Sequence, residues 1–175
     1  MKTARNATPV LLCGFLALCF AAGAFVPPAL EAAGLAGGPA LRSAYGSLCH
    51  QIPSRSLRVW GRPLAICARC SGLYAGGTLG LFLAALATGG RGAARPRFLL
   101  VACAPIALDA VARLLGWPGL PNVPRLVTAV PAGVIGGLLL AHGIADLAVQ
   151  ARQSAMRSWA GRLPVRPTLG AGVKR

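Results

Sequence analysis

Four apolar runs alternate with shorter polar or basic stretches along the 175-residue chain. The runs cover about residues 8–30, 70–88, 98–115 and 126–149. Because a helix rises about 1.5 Å per residue, roughly 20 apolar residues cross a hydrocarbon core of about 30 Å. The pattern predicts an all-α fold, a polytopic transmembrane bundle of about four helices that forms a single domain over residues 1–149.

The first apolar run has two interpretations. Lys2 and Arg5 precede it and small residues occupy 22–24, and these are also the parts of a cleavable signal peptide. The run is longer than the usual apolar region of such peptides, about 7 to 15 residues, which favours a retained helix. We therefore expect four spans, or three after signal removal, with the loop that follows on the outer side of the membrane in either case.

Small residues recur every four positions in the second and fourth runs. They are Gly72, Gly76, Gly80 and Ala84 in the second run, and Ala129, Gly133, Gly137 and Ala141 in the fourth. Such spacing places them in one stripe on each helix and lets another backbone approach closely. The two helices are predicted to pack against each other.

The segments outside the runs indicate the orientation. Residues 31–69 form a loop rich in Gly, Pro, Ser and Arg, and residues 150–175 form a basic tail that is predicted to be disordered. With both termini in the cytoplasm, Lys and Arg are more numerous on the inner side, although this bias depends on the tail. We expect the tail to contact anionic lipid.

Composition supports the membrane interpretation. The chain is 55% hydrophobic and 12% charged, with a mean hydropathy of +0.64, which is too apolar for an ordinary soluble domain. Its formal net charge of +15 would suit nucleic acid if the basic residues formed one surface stripe. They lie instead between and beyond the apolar runs. The expected partner is therefore the lipid bilayer and no nucleic acid, and the pattern is compatible with a homo-oligomer.

Residues able to do chemistry are concentrated in one stretch. Cys49 and His50 are followed by the C-x-x-C pair Cys67 and Cys70. Two thiolates at that spacing hold one metal ion, and a third cysteine with an imidazole completes a tetrahedral zinc shell. Adjacent Cys and His ligands are unusual, so a shell with a water in the fourth place is an alternative. Three thiolates on Zn²⁺ leave one net negative charge, which Arg55, Arg58 or Arg69 would offset.

Two other interpretations use the same thiols. Cys67 and Cys70 begin the second helix with Arg69 between them, and a helix N-terminus and a positive charge both lower thiol pKa values. They would then be the catalytic pair of a thiol oxidoreductase working with a quinone, with Cys49 exchanging the disulfide. Alternatively, a plain disulfide from Cys49 to one of the pair staples the loop.

Further polar residues fall on the same side of the membrane as this stretch. Asp109 and Arg113 are four positions apart, so on a helix they share a face and can form an ion pair at membrane depth. Asn122 and Arg125 begin the fourth helix. Asp109, Asn122 and Arg125 are predicted to line the floor of a composite site beneath the cysteine loop.

The order of these residues resembles a known signature. The matching residues, over about 48–137, are Cys49, His50, Gln51, Pro53, Arg55, Ser56, Gly61, Cys67, Arg69, Cys70, Gly72, Tyr74 and Gly76, then Asp109, Asn122, Arg125, Leu126 and Thr128. The pattern is similar to that of a family of small predicted prokaryotic membrane proteins classed as a domain of unknown function, with Ala129 where that family has glycine. The resemblance implies a multi-pass protein of the cytoplasmic (inner) membrane and a single polar site that includes Gln51, Ser56 and Tyr74. It implies no activity.

Overall fold

The computed structural model describes residues 4–88 and 96–160, and this part of the chain is mostly helical. Its helices are α1 Ala4–Gly23, α2 Val26–Ala32, α3 Gly38–Ala44, α4 Ala68–Thr88, α5 Pro96–Leu114 and α6 Asn122–Ala160. Between α3 and α4 the loop holds two single 3₁₀ turns, Tyr45–Ser47 and Pro53–Arg55, and a small antiparallel hairpin of β1 Arg58–Val59 and β2 Arg62–Pro63.

The first apolar run is divided into two helices. α1 ends at Gly23 and α2 restarts at Val26, with Pro27 and Pro28 in its first turn. Proline lacks the N–H that continues a helical ladder, so it is accommodated where a new helix begins. The single helix expected over residues 8–30 is therefore interrupted near its C-terminal end.

α4 and α6 pack closely along the predicted stripes of small residues. A Cβ added to Gly76 would collide with the carbonyl of Val130, and one added to Gly137 with the carbonyl of Gly77. Gly72 likewise lies against the Leu126 carbonyl. The contacts advance in the same direction along both helices, so α4 and α6 run parallel with their N-termini at the same end. The predicted packing of these two helices is confirmed.

The other long helices run opposite to this pair. Near the C-terminal end of α1, Phe20 contacts Tyr74 of α4, and nearer the start of α1 Val10 packs in a buried cluster with Leu81 and Ala85. α1 is therefore antiparallel to α4. α5 packs against α6 and is joined to it by a short connection, so that the end of α5 lies beside the start of α6.

Within the described residues, two helical stretches are long and apolar enough to cross a membrane by length and composition, Ala7–Ala32 and Asn122–Trp159. The first lies near the N-terminus, where a signal sequence has the same properties. α6 continues through Ala160, so residues 150–160, expected to begin a disordered tail, are helical. The basic connection between the second and third apolar runs, residues 89–97, lies mostly outside the described residues, and so does the rest of the tail.

Candidate functional site

An ion pair fixes the loop that carries Cys49. The guanidinium of Arg42 donates to both carboxylate oxygens of Glu31, each at 2.9 Å, and to the carbonyls of Pro63 at 2.8 Å and Leu64 at 3.1 Å. A planar, forked donor group suits this set of acceptors. Arg42 thus joins α2 and α3 to the hairpin, which sequence reasoning did not predict because the residues are far apart in the chain.

Gln51 closes the same loop around Cys49. Its backbone has a positive φ of 51°, and its Nε2 donates to the carbonyls of Arg42 at 2.6 Å and Ala65 at 2.9 Å. The left-handed backbone conformation is costly for a residue with a side chain, and these hydrogen bonds hold it in place. The structure therefore gives Gln51 a positioning role in the loop.

The sulfur of Cys49 is buried and accepts hydrogen bonds from the backbone. Cys49 is only 5% exposed, and its Sγ accepts from the N–H of Cys67 at 3.2 Å and from the N–H of Gln51 at 3.5 Å. Cys67 immediately precedes α4, and Cys70 lies in its first turn. The turn into α4 therefore brings the C-x-x-C pair to the loop cysteine.

The three thiols form one cluster. The sulfur atoms of Cys49, Cys67 and Cys70 all lie within 4.8 Å of one another. Sulfurs bound to one tetrahedral zinc at about 2.3 Å are roughly 3.8 Å apart, so a shift of about 1 Å or less brings this set to ligand spacing. Soft thiolate ligands suit Zn²⁺ and Cu⁺. The donor set fits a three-sulfur metal centre.

His50, the fourth predicted ligand, occupies a different position. Its side chain is exposed and lines the cavity beside the thiols, but its ring nitrogens are not part of the group of ligand atoms within 4.8 Å. The arrangement in the structure is closer to the alternative of three thiolates with an open fourth place.

One of the clustered thiols is acidic. A hydrogen bond from the Cys70 thiol lowers the pKa of Cys67 to about 5, with smaller contributions from the Cys49 thiol and from backbone N–H groups, and burial opposes the shift. Cys67 is therefore a thiolate at neutral pH. The thiolate is both the metal-binding and the nucleophilic form of cysteine.

Asp109 is the centre of a group of arginines at the end of α5. The residue is 5% exposed. Its carboxylate pairs with Arg69 of α4 and with Arg125 of α6, the latter with 3.2 Å between Nε and Oδ2. It also accepts from the Leu120 N–H at 2.7 Å, and the predicted partner Arg113 is more distant at 3.9 Å. One carboxylate thus joins three helices.

Asn122 and Ser56 connect α6 to the cysteine loop. The Nδ2 of Asn122 donates to the carbonyls of Ser54 at 3.2 Å and Ser56 at 3.1 Å. The Ser56 hydroxyl is buried and donates to the Ile52 carbonyl at 3.1 Å. These bonds hold the loop over the end of the helices. Tyr74 instead packs edge-on against Phe20, with ring centroids 5.1 Å apart.

A cavity of about 320 Å³ lies between the loop and the helix ends. Its lining brings together the three clustered cysteines, His50, four arginines and three apolar residues. The arginines are Arg55, Arg69, Arg113 and Arg125, and the apolar residues are Leu48, Ile52 and Leu73. The four predicted ligands line this space, but of the predicted floor only Arg125 does. Asp109 lies behind the lining and pairs with its arginines, and Asn122 holds the loop instead.

Comparisons with known proteins agree with the membrane interpretation. The family model described as "Predicted membrane protein (DUF2085)" matches residues 49–139. An uncharacterized protein of Methanocaldococcus jannaschii is 33% identical over 95 residues, which cover 53% of this chain and 61% of that protein. An uncharacterized protein of Methanothermobacter thermautotrophicus is 31% identical over 87 residues, which cover 50% of this chain and 78% of that protein. No solved structure matches the chain.

The family match coincides with the site. It begins at Cys49, includes α4 and α5, and ends within α6. It therefore contains the clustered cysteines together with Asp109 and its arginine partners. Because the match covers slightly more than half of the 175 residues, the chain belongs to this family of predicted membrane proteins.

Proposed function

We propose that this protein is a polytopic membrane protein that binds one metal ion, zinc in the first instance, through Cys49, Cys67 and Cys70. The observation that carries the proposal is the convergence of three sulfurs within 4.8 Å from two separate segments. The backbone N–H groups that donate to Cys49 Sγ would hold this sulfur in position, as partners around metal ligands commonly do. When bound, the metal would act as a Lewis acid or activate a water in its open fourth position.

The proposed arrangement in the membrane has four spans, near residues 8–30, 70–88, 98–115 and 126–149. The alternating directions of α1, α4, α5 and α6 support it, because each helix would then cross the membrane in the direction opposite to the helix before it. The site lies at the end where the predicted outer loop is found. We place the protein in the inner membrane of a prokaryote with cytoplasmic termini and a tail that contacts anionic lipid, on the distribution of basic residues.

Metal content tests the proposal directly. The protein is purified in detergent from cells grown with zinc, and bound metals are measured by mass spectrometry. We expect about one zinc per chain in the wild type and in Cys103→Ser, whose cysteine lies in α5 outside the cluster. Cys49→Ser and Cys67→Ser should each lose most of it, since removal of one of three ligands leaves too few. Equal metal content in all four proteins would contradict the proposal.

A second function is favoured by one observation, the lowered pKa of Cys67. A thiolate next to a second thiol is the arrangement used in disulfide exchange. In that case Cys67 and Cys70 would form a reversible disulfide and pass two electrons to a quinone. Metal-free protein whose pair is reduced by dithiothreitol and reoxidised by a soluble quinone analogue would favour this function over metal binding. A disulfide resistant to every redox buffer would instead indicate a loop staple.

A further inference from the structure

The cavity beside the thiols has too few negative charges for its arginines. Four guanidiniums line it, and no carboxylate does. The whole chain contains only three acidic residues. Glu31 is held by Arg42, and Asp146 lies 21 residues beyond Arg125, roughly 30 Å farther along the helix. Among the described residues, Asp109 is therefore the one acidic side chain placed to neutralise the group.

Arg125 is a buried arginine whose hydrogen-bond donors are only partly satisfied by Asp109. It is 3% exposed, lines the cavity, and pairs with Asp109 through Nε. Its buried Nη2 has no hydrogen-bond partner among the described residues, and neither does Nε of Arg113. A buried, charged donor without a partner costs free energy, and such groups in native structures are normally satisfied by protein, water or ligand. Both arginines line the cavity, so an anionic ligand there would offer acceptors to these donors.

We infer that this cavity binds the phosphate group of a small phosphate ester. Guanidinium groups present forked donors that match phosphate oxygens. With three thiolates on Zn²⁺ counted as one negative charge and Asp109 as another, four arginines leave about two positive charges, and a phosphate monoester carries about −1.5 to −2 at pH 7. This charge count rests on the proposed metal centre, whereas the arginine contacts themselves do not need the metal.

The helix directions and the cavity size agree with this ligand. α4 and α6 both begin beside the cavity, and helix N-termini favour bound anions. A volume of about 320 Å³ is within the range of small-molecule sites, about 300 to 1,000 Å³, and exceeds what a bare phosphate ion needs. Leu48 and Leu73 line the same space, and both are exposed. The group that carries the phosphate therefore has an apolar portion, as in a lipid or a similar ester.

A pair of matched arginine variants tests the inference. Arg55 and Arg58 are both exposed and three positions apart in one loop, but only Arg55 lines the cavity. Arg55→Gln should weaken phosphate binding by about tenfold or more, and Arg58→Gln by much less. Arg125→Lys keeps the charge beside Asp109 while removing the unpaired Nη2, so it should also weaken binding without unfolding the protein.

The binding experiment has two arms, each run on metal-loaded and metal-depleted protein. In neutral-lipid nanodiscs, calorimetry measures inorganic phosphate. In a second series, native mass spectrometry measures uptake of phosphatidic acid against phosphatidylcholine. Saturable binding in either arm that is weakened by Arg55→Gln and not by Arg58→Gln supports the inference and identifies the source of the phosphate. Absence of binding in both arms, or equal loss in the two glutamine variants, overturns it. Metal content is measured separately on the zinc-loaded sample. A protein that binds phosphate but retains no zinc would contradict only the proposed metal centre, and one that retains zinc but binds no phosphate would contradict only this inference.

Discussion

At the scale of single residues, Cys67 is the most chemically distinctive group in the site. Its pKa is lowered to about 5 chiefly by the hydrogen bond from Cys70, so in metal-free protein the thiolate is present above that pH and is lost as the pH falls through it. Alkylation of Cys67 by iodoacetamide, followed by peptide mass spectrometry, should show a rate that rises with a midpoint near pH 5. Cys70→Ala removes the main cause and should move the midpoint upward toward that of an ordinary thiol, about 8.5. A midpoint near 8.5 in the unsubstituted protein would contradict this account.

The partners of Asp109 show what the sequence reveals about a residue and what it does not. Arg113 was predicted from helical spacing, since four positions along a helix place two residues on one face. It is the most distant of the three arginines around Asp109, at 3.9 Å. Arg69 and Arg125 lie 40 and 16 positions away, and only the packing of α4, α5 and α6 brings them together. Periodicity contains no information about such contacts between helices.

At the scale of the elements, the packing of α4 against α6 depends on the absence of side chains. Gly136 and Gly137 are adjacent in α6, yet a Cβ on Gly137 would collide with the backbone of Gly77, while one on Gly136 meets nothing within 4 Å. Gly137→Ala should therefore lower the midpoint of thermal unfolding in detergent, and Gly136→Ala should leave it unchanged or raise it, since alanine is the better helix former. Equal effects of the two substitutions would show that the close approach is not needed.

Element patterns were predicted better than element ends. The small residues recur every four positions within one helix, so their alignment on one face can be read from the sequence. The structure places these faces against each other, as the contact between α4 and α6. The break between α1 and α2 and the extension of α6 to Ala160 did not follow from hydropathy. Apolar content continues across the break, and the extension depends on helix propensity in a polar segment.

At the scale of the whole molecule, the site lies at one end of the helices, and the account places that end outside the cell. Arg58 in the loop and Arg157 near the end of α6 are both exposed and lie toward opposite ends. A membrane-impermeant maleimide added to intact cells should label Arg58→Cys above the level of the unsubstituted protein, and should label Arg157→Cys only after the cells are permeabilised. The reverse pattern would invert the topology and place the site in the cytoplasm.

The family match, the cysteine cluster and the arginine-lined cavity all concern the same end of the molecule, and the central claim is that a metal ion is bound there by three sulfurs. X-ray absorption at the zinc edge of the purified, zinc-loaded protein measures the ligands directly. The account predicts about three sulfur neighbours at about 2.3 Å in the unsubstituted protein, and little retained zinc in Cys49→Ser. A shell of only nitrogen or oxygen at about 2.0 to 2.1 Å, or no retained zinc, would contradict it.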